Sequence, residues 1–566
     1  MAKKFVNGID EVVDDSLNGL VRANKGIQFH PTCRRVVIRS DIQQYQQSKV
    51  ALIAGGGSGH EPYASGYVGK GLLTAAVAGN VFASPPSRHV QAALEGTKSS
   101  GGAILFIINY TGDRLNFGLA AERFDGDVKV VTIADDVAIE NPNNRVGRRG
   151  LAGAVLTIKI AGSMAERGMS LDEIYRVSQK VSKNMGTLGV SLYPGAIPGK
   201  GPETTLREDE LEIGLGIHGE PGKIRTKYAN IKSITSDLLN TLKNKMNLKK
   251  SEKFVVLVNN LGGVSQIEMN IINGEVIEWF NTESLNIERY FSGCYMTSLD
   301  GHGFSITVLK VEDGDEVLKH LDSLTDAPGW IPSSTINNEV RKNSTETKIE
   351  IDVTEIEKTG ISQNPEIFHK VVEALTKSML ESEQILNKLD AIAGDGDCGS
   401  TFASAARSIQ SSMEKLSFSH PQALLRQLAI LFEQAVGGTS GALYALMLSS
   451  ASSAFIEDTV NNGTCVNGLA KGNEAVQTYG GARPGDRTMV DSLNAAVESL
   501  KNEHKNGENI WATAVKAAEQ AAEATAHQTA TVGRASYTSS EAQTHPDAGA
   551  TAIAIWLRTI YKTVFG

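Results

Sequence analysis

Apolar residues fall along this chain in two different rhythms. Through about the first 335 positions, short runs of β-branched residues alternate with helical stretches. RVVIRS (35–40), KVALIA (49–54), GAILFIINY (102–110) and VKVVTIA (128–134) are runs of the kind that form strands buried on both faces. GLAGAVLTIKIAGSMAERG (150–168) and LDEIYRVSQKVSKNM (171–185) carry helical spacing, and KFVVLVNNLGG (253–263) returns to strand. The alternation predicts an α/β domain over 1–335 with two lobes, about 1–190 and 191–335.

The rhythm changes at SSTINNEVRKNSTETKIE (333–350), which is polar and almost without apolar periodicity. It predicts a linker, bounded at 336–352. Beyond it, 353–566 predicts an all-α domain of eight helices, near 366–389, 400–415, 421–436, 440–456, 466–480, 488–504, 510–530 and 547–565. In the first, Ile367, Val371, Leu375, Met379, Ile385 and Leu389 share roughly one face. The odd-numbered connections are GDGDCGS, GGTSGA, GGARPGDRT and TVGRASY…HPDAGA, rich in glycine, hydroxyls and aspartate. The even-numbered ones, SFSHPQ, DTVNNGTCVN and HKNGEN, are ordinary polar turns. If the helices run up and down, all the unusual loops share one rim.

A chain of 566 residues exceeds what one core supports. Its net charge of −9 argues against nucleic-acid binding. The run AILFII (103–108) is too short to span a bilayer, and MAKKFVNGIDEVVDD lacks the apolar core of a signal peptide. Cys33, Cys294, Cys398 and Cys465 stand singly, which predicts a reduced, cytoplasmic protein without a cysteine zinc site.

LDAIAGDGDCGST (389–401) crowds Asp390, Asp395 and Asp397 into eight positions among glycines. Such carboxylates suit a hard divalent cation; the other reading is an Asp-rich cap and turn. Glycines at helix starts, as in GGTSGALY and DAGATAIAIW, turn N–H groups toward anions, so the rim as a whole points to a metal-bridged polyphosphate. In the first half, AGGGSGHEP (54–62) follows a strand but lacks the ending of a Walker A loop; it is either a ligand loop or a tight turn. NYTGDRLNFG (109–118) follows another strand and carries Asp113. GLGIHGEPG (214–222) sets His218 between glycines, either as a structural histidine or as an approachable nucleophile.

GGGSGHEP, NYTGDRLNFG, GRRGLAG, GLGIHGEPG, AGDGDCGST, GGTSGALY, PGDRTM and GRASY, in this order, resemble the ATP-dependent dihydroxyacetone kinases, closest to the bifunctional animal members. The resemblance implies a two-lobe substrate domain followed by an eight-helix up-and-down barrel that binds ATP. It implies that His218 adds to the substrate carbonyl as a hemiaminal, that Gly57, Ser58, Gly59 and His60 form the substrate loop, and that Asp113 meets the substrate hydroxyl. It gives Asp390, Asp395 and Asp397 to magnesium, and Asp390, Ala391, Ile392, Ala393, Thr439, Ser440, Gly480, Thr488, Met489, Asp547, Ala548 and Gly549 to the nucleotide. The implied substrates are dihydroxyacetone and glyceraldehyde. The animal members also imply cleavage of FAD to AMP and cyclic FMN with Mn2+ or Co2+, and a homodimer. Both halves share one chain, which favours exchangeable ATP over a phosphocarrier partner. One residue departs from the family: Ile108 stands where a lysine usually reaches the substrate. The alternatives are a non-catalytic relative, or one that retains FAD cleavage beside a weakened triose site.

Overall fold

The four continuous apolar runs become strands of one sheet in the computed structural model, which describes residues 3–139, 147–200, 206–312, 315–337, 352–457, 460–502, 508–537 and 543–566. Two compact units divide the chain, Met1–Arg341 and Lys342–Gly566. The stretch 338–351, most of the expected linker, lies outside the described residues.

In the first unit, helix α1 (Val12–Ala23) precedes β1 (Ile27–His30), β2 (Cys33–Arg39), the short α2 (Ile42–Tyr45), β3 (Ala51–Ser58) and β4 (Ala75–Val81). Then come α3 (Ser87–Gly96), β5 (Ala103–Ile108), α4 (Thr111–Arg123) and β6 (Val128–Ile133). The sheet order is β1-β2-β4-β3-β5-β6, and its last four strands are parallel. Strand β3 therefore has β4 on one side and β5 on the other. At such a switch point the loops leaving the strands' carboxyl ends diverge and open a crevice for ligands. The GGGSGHEP and NYTGD segments leave β3 and β5 at that crevice.

Helices α5 (Ala154–Glu166) and α6 (Leu171–Lys183) follow, and every residue from Ala154 to Ala165 is buried. A helix apolar all round must be covered on every side. One core joins α5 to Leu52, Ala54, Ile104 and Phe106 of the first sheet and to Val255, Leu257 and Leu309 of a second. Lys159, charged within the buried stretch, donates from Nζ to the carbonyl of His320 at 3.0 Å. The second sheet comprises β7 (Met185–Tyr193), β8 (Glu210–Ile213), β9 (Ile224–Lys227), β10 (Lys253–Asn260), β11 (Asn286–Gly293) and β12 (His302–Val311), ordered β11-β10-β12-β7-β8-β9. Only β10 and β11 are parallel neighbours; the other pairs are antiparallel. Helices α7 (Ile231–Met246) and α8 (Gln266–Glu283) cover its other face through Leu238, Leu242, Val276 and Phe280, and α9 (Asp315–Leu321) returns to α5.

The second unit is helical: α10 (Pro365–Glu381), α11 (Glu383–Ala393), α12 (Cys398–Ser411), α13 (Pro421–Ala435), α14 (Gly438–Ser452), α15 (Asn462–Gly480), α16 (Met489–Asn502), α17 (Glu508–Ala524) and α18 (Ala548–Phe565). The helix expected over 366–389 is thus two, so the described residues hold nine helices rather than eight. The break is at Ser382, whose hydroxyl donates back to the carbonyl of Ser378 at 2.7 Å and competes with the helical ladder. From α12 to α18 each helix packs on the next, and α10 meets both α12 and α18. Phe402, Tyr444 and Trp556 pack at the centre, with ring centroids 4.9 to 5.0 Å apart.

Helix α12 starts where Gly399 crosses the start of α11, and a Cβ on Gly399 would overlap the carbonyl oxygen of Glu383. Gly399→Ala is expected to destabilise the second unit by about 1–3 kcal/mol, despite alanine's better helix propensity. Calorimetry should show its melting transition fall while that of the first unit stays.

Candidate functional site

The end of β3 is glycine because two backbones meet there. A Cβ on Gly57 would lie 2.7 Å from the nitrogen of Ala83 and 2.9 Å from Cα of Phe82. A Cβ on Gly59, which has φ +100°, would lie 2.8 Å from the Phe82 ring. This approach brings Phe82 against His60, with the rings stacked at 5.1 Å. His60 is 2% exposed, and its Nδ1 lies 2.8 Å from the carbonyl of Thr297. Burial, helped by the neighbouring His218, pushes the His60 pKa down to about 3. The ring is therefore neutral, donates from Nδ1, and presents a lone pair on Nε2, a buried atom that no group among the described residues satisfies.

Asp113 enters from the first turn of α4 and is 5% exposed. Burial raises its pKa, opposed by a hydrogen bond from Ser84 and by the nearness of His218. Its Oδ1 is also buried without a partner among the described residues. His218 comes from the tip of the β8–β9 hairpin. Its ring meets Tyr110 at 4.5 Å, His60 at 4.9 Å and Phe82 at 5.5 Å, with its side chain 18% exposed. Glu220, two residues on, reaches back to it. The structure thus gathers Gly57, Ser58, Gly59, His60, Asp113 and His218 from three separate segments. Two buried acceptors beside one approachable imidazole ask for a small ligand rich in hydroxyl donors. Ile108, at the end of β5, is 2% exposed and sits in the apolar core that includes Ile217.

In the second unit, Asp390 lies in the last turn of α11 and folds the following loop around itself. Its Oδ2 accepts the N–H groups of Gly396 at 2.9 Å, Asp397 at 3.1 Å and Cys398 at 3.4 Å. Carboxylate oxygens of Asp390, Asp395 and Asp397 lie within 4.8 Å of one another. Hard oxygen donors at that spacing suit a divalent cation, whose charge would offset their repulsion. Ala391 is exposed, Ile392 half-buried and Ala393 buried beside them.

Asp547, at the start of α18, lies within electrostatic reach of Asp390 and of Asp491 in α16. Asp547 caps α18 by accepting the N–H of Ala550 at 2.8 Å, and among the described residues Arg487 pairs with it at 4.0 Å. Burial raises its pKa to about 6; Arg487 opposes this, while Asp491 and Asp390 add to it. Cys398 is pushed up to about 12 by burial and by Asp390, Asp547 and Asp397. Thr488 precedes α16, where Asp491 accepts its N–H at 2.8 Å and that of Gly485 at 2.6 Å. Met489 packs on Gly549, whose hypothetical Cβ would sit 3.5 Å from it, beside Ala548. Thr531 bonds Asp486. Tyr444 of α14 feels the fields of Cys398 and Asp547. Thr439 and Ser440 form the first turn of α14, which has no side-chain cap, so its first N–H groups remain for an anion. Gly480 ends α15.

Several residues of these sites were not singled out from the sequence. Tyr110, Glu220 and Arg487 lie inside quoted motifs, so their neighbours were the signal. Phe82, Ser84 and Thr297 carry no local signal and come in only through folding.

Models of two families match the chain, the Dak1 domain over residues 18–329 and the DAK2 domain over 392–562. It is 40% identical to human "Triokinase/FMN cyclase" over 577 aligned residues, covering 100% of this chain and 99% of that one. The chain belongs to the dihydroxyacetone kinase family. It is 35% identical to a "Dihydroxyacetone kinase" of Pichia angusta, covering 96% of this chain and 94% of that one. A solved dihydroxyacetone kinase of C. freundii, in complex with AMP-PNP and Mg2+, matches with a TM-score of 0.74 at 32% identity, covering 99% of this chain and 100% of that one. This kinase-family chain shares its order of domains, a mixed-sheet domain followed by a helical one.

A neutral buried His60 carries a stability signature. Its folded pKa, about 3, lies below the unfolded value of 6.5. The stabilisation is therefore full above pH 6.5 and is lost as pH falls toward 3. Replacing His60 by Gln is expected to flatten the stability–pH curve of the first unit between those limits, by up to ~1.4 kcal/mol per pH unit. Denaturant unfolding at a series of pH values checks this.

Proposed function

We propose that this chain phosphorylates dihydroxyacetone and glyceraldehyde with ATP, giving the triose phosphates. The observation that carries the reading is the meeting of His218 with two unsatisfied buried acceptors, His60 Nε2 and Asp113 Oδ1. A carbonyl triose supplies what they lack: an electrophilic carbon for the imidazole and hydroxyl hydrogens for the acceptors. His218 adds to the carbonyl as a hemiaminal, which selects against glycerol. Gly57, Ser58 and Gly59 leave the loop close enough to line the substrate. Asp113 takes the proton of the terminal hydroxyl as its oxygen attacks the γ-phosphorus, and its burial-raised pKa makes it a better base. His60 accepts a neighbouring hydroxyl.

On this reading 1–335 is the substrate domain and 353–566 the ATP domain, an up-and-down barrel of eight helices whose first member is broken into α10 and α11. Asp390, Asp395 and Asp397 hold Mg2+, which neutralises phosphate charge. Ala391, Ile392, Ala393, Thr439, Ser440, Gly480, Thr488, Met489, Asp547, Ala548 and Gly549 line the nucleotide, with the uncapped start of α14 receiving phosphate oxygens. The protein acts in the cytoplasm as a homodimer. Likeness over full length to a human protein named triokinase/FMN cyclase supports a second activity, cleavage of FAD to AMP and cyclic FMN with Mn2+ or Co2+ at the same metal cluster. ADP release with dihydroxyacetone, against glycerol as control, tests the kinase; no difference between the two would overturn it.

His218→Ala is expected to lose most of the preference for dihydroxyacetone over glycerol while FAD cleavage persists. Asp395→Asn or Asp397→Asn is expected to abolish both activities, since both need the phosphate clamp. Paired assays of ADP and cyclic FMN separate the two patterns.

Ile108 generates a further expectation. An apolar side chain offers the substrate no hydrogen bond, a loss commonly worth ~1–3 kcal/mol, or roughly five- to a hundredfold in affinity. Ile108→Lys is expected to lower KM for dihydroxyacetone, to leave FAD cleavage unchanged, and to cost thermal stability because the site is buried. Steady-state kinetics and a melting curve on the same preparation check all three.

A further inference from the structure

Neutral imidazole exists as two tautomers, and only the nitrogen without the proton can attack a carbonyl. The hydrogen bond made by one ring nitrogen decides which tautomer is present. At His218 that bond has one candidate among the described residues. Glu220 Oε1 lies 3.4 Å from Nδ1, while Oε2 accepts the backbone N–H of the same histidine at 3.0 Å. One carboxylate therefore grips both the ring and the main chain of His218.

The loop is shaped for this grip. Gly219, with φ +78°, reverses the chain between the two residues, a conformation that favours glycine. A Cβ on Gly216 would overlap Glu220 Oε2 and lie 2.8 Å from Nη1 of Arg149, so the missing side chain makes room for the carboxylate beside a guanidinium. Arg149 is itself fixed, by Asp136 at 2.7 Å and by the carbonyl of Gly214 at 2.6 Å. Burial works against the charge on Glu220, yet the hydrogen bonds from His218 keep its pKa below the usual value, so it is a carboxylate. The remaining groups around the His218 ring are neutral or apolar in contact: His60, Phe82 and the Tyr110 ring edge. Asp113 stands on the substrate side with its unpartnered Oδ1.

We propose that Glu220 is a positioning residue for the phosphorylation of carbonyl trioses: it holds the His218 proton on Nδ1, so that Nε2 carries the lone pair. The inference rests on the hemiaminal reading of the preceding subsection. The Nε2 lone pair forms the bond to carbon, the carbonyl π pair moves to oxygen, and that oxygen takes one proton from solvent. The ring, substituted at Nε2 and protonated at Nδ1, then carries a positive charge facing the Glu220 carboxylate. The arrangement is the histidine–carboxylate pairing of acyl-transfer enzymes turned to a different use, with the histidine itself as nucleophile.

The test uses the full-length protein labelled with 15N-histidine, the His218 signals being identified by their loss in His218→Ala. Wild type is expected to show Nδ1 protonated and Nε2 bare, and intact mass should show a dihydroxyacetone adduct. Glu220→Ala is expected to shift the proton toward Nε2. It should lower adduct occupancy and kcat/KM for dihydroxyacetone about tenfold to a hundredfold and leave KM for ATP unchanged. Glu220→Gln, which retains an acceptor oxygen, should recover the Nδ1 proton and part of the adduct. Should Glu220→Ala fail to fold, Glu220→Met keeps the length without an acceptor. A wild-type ring protonated on Nε2 overturns the proposal without any variant. So does a Glu220→Ala protein with wild-type tautomer and adduct. A wild type with the proton on Nδ1 but no adduct overturns the hemiaminal reading instead, and leaves the grip of Glu220 on His218 standing.

Discussion

Two stretches of backbone approach more closely than any side chain would permit, and the first site is built on that approach. Without a Cβ at Gly57 and Gly59, the end of β3 presses against Phe82 and Ala83. Phe82 then becomes a wall: it stacks on His60 and presents its edge to His218. His60 in turn is locked by the carbonyl of Thr297, contributed from beyond β11. A methyl group at either glycine would displace the wall, and with it the relation between the two histidines.

The second unit organises its site by charge rather than by absence of bulk. Asp390, Asp395 and Asp397 are held together against their repulsion by N–H groups of their own loop. Asp547 and Asp491 add negative potential from the starts of α18 and α16, with Arg487 4.0 Å from Asp547. Such a rim is incomplete by electrostatics alone, and the uncapped start of α14 leaves N–H groups for an anion. One site thus demands hydroxyl donors and the other a cation with its anion, a division of labour suited to phosphorylating a small hydroxyl compound from a nucleotide.

Much of this was legible in the residue pattern. KVALIA and GAILFIINY became the central strands β3 and β5 because parallel strands covered on both faces have no polar side, whereas VKVVTIA became the partly exposed edge strand β6. The run of helices was legible from apolar spacing, and each helix from α12 to α18 packs on the next. What remained hidden has physical reasons. Ser382 breaks a helix through a side-chain hydrogen bond that periodicity does not register. Strand β4, AAVAGNV, is built mostly of alanine and glycine, and its strand character comes from lying between β2 and β3 rather than from its own residues. Phe82 and Thr297 acquire their roles only by distant contact. Glu220 stood in plain view beside His218, but only the left-handed turn at Gly219 reveals that it points back.

The hairpin that carries His218 ends in β9, the edge strand of its sheet, and all four residues of β9 are exposed. Its sequence, IRTK, places two cations on that open edge, which discourages pairing with another chain. His218 therefore rides on one of the most lightly anchored elements of the unit. Local opening free energy is lowest where few apolar contacts hold a segment down. The pocket can be breached by peeling a single hairpin, with both sheets and the α5 layer intact. A covalent bond between substrate and hairpin would reverse that weakness, because the ligand would then staple the peeling element to the rest of the domain.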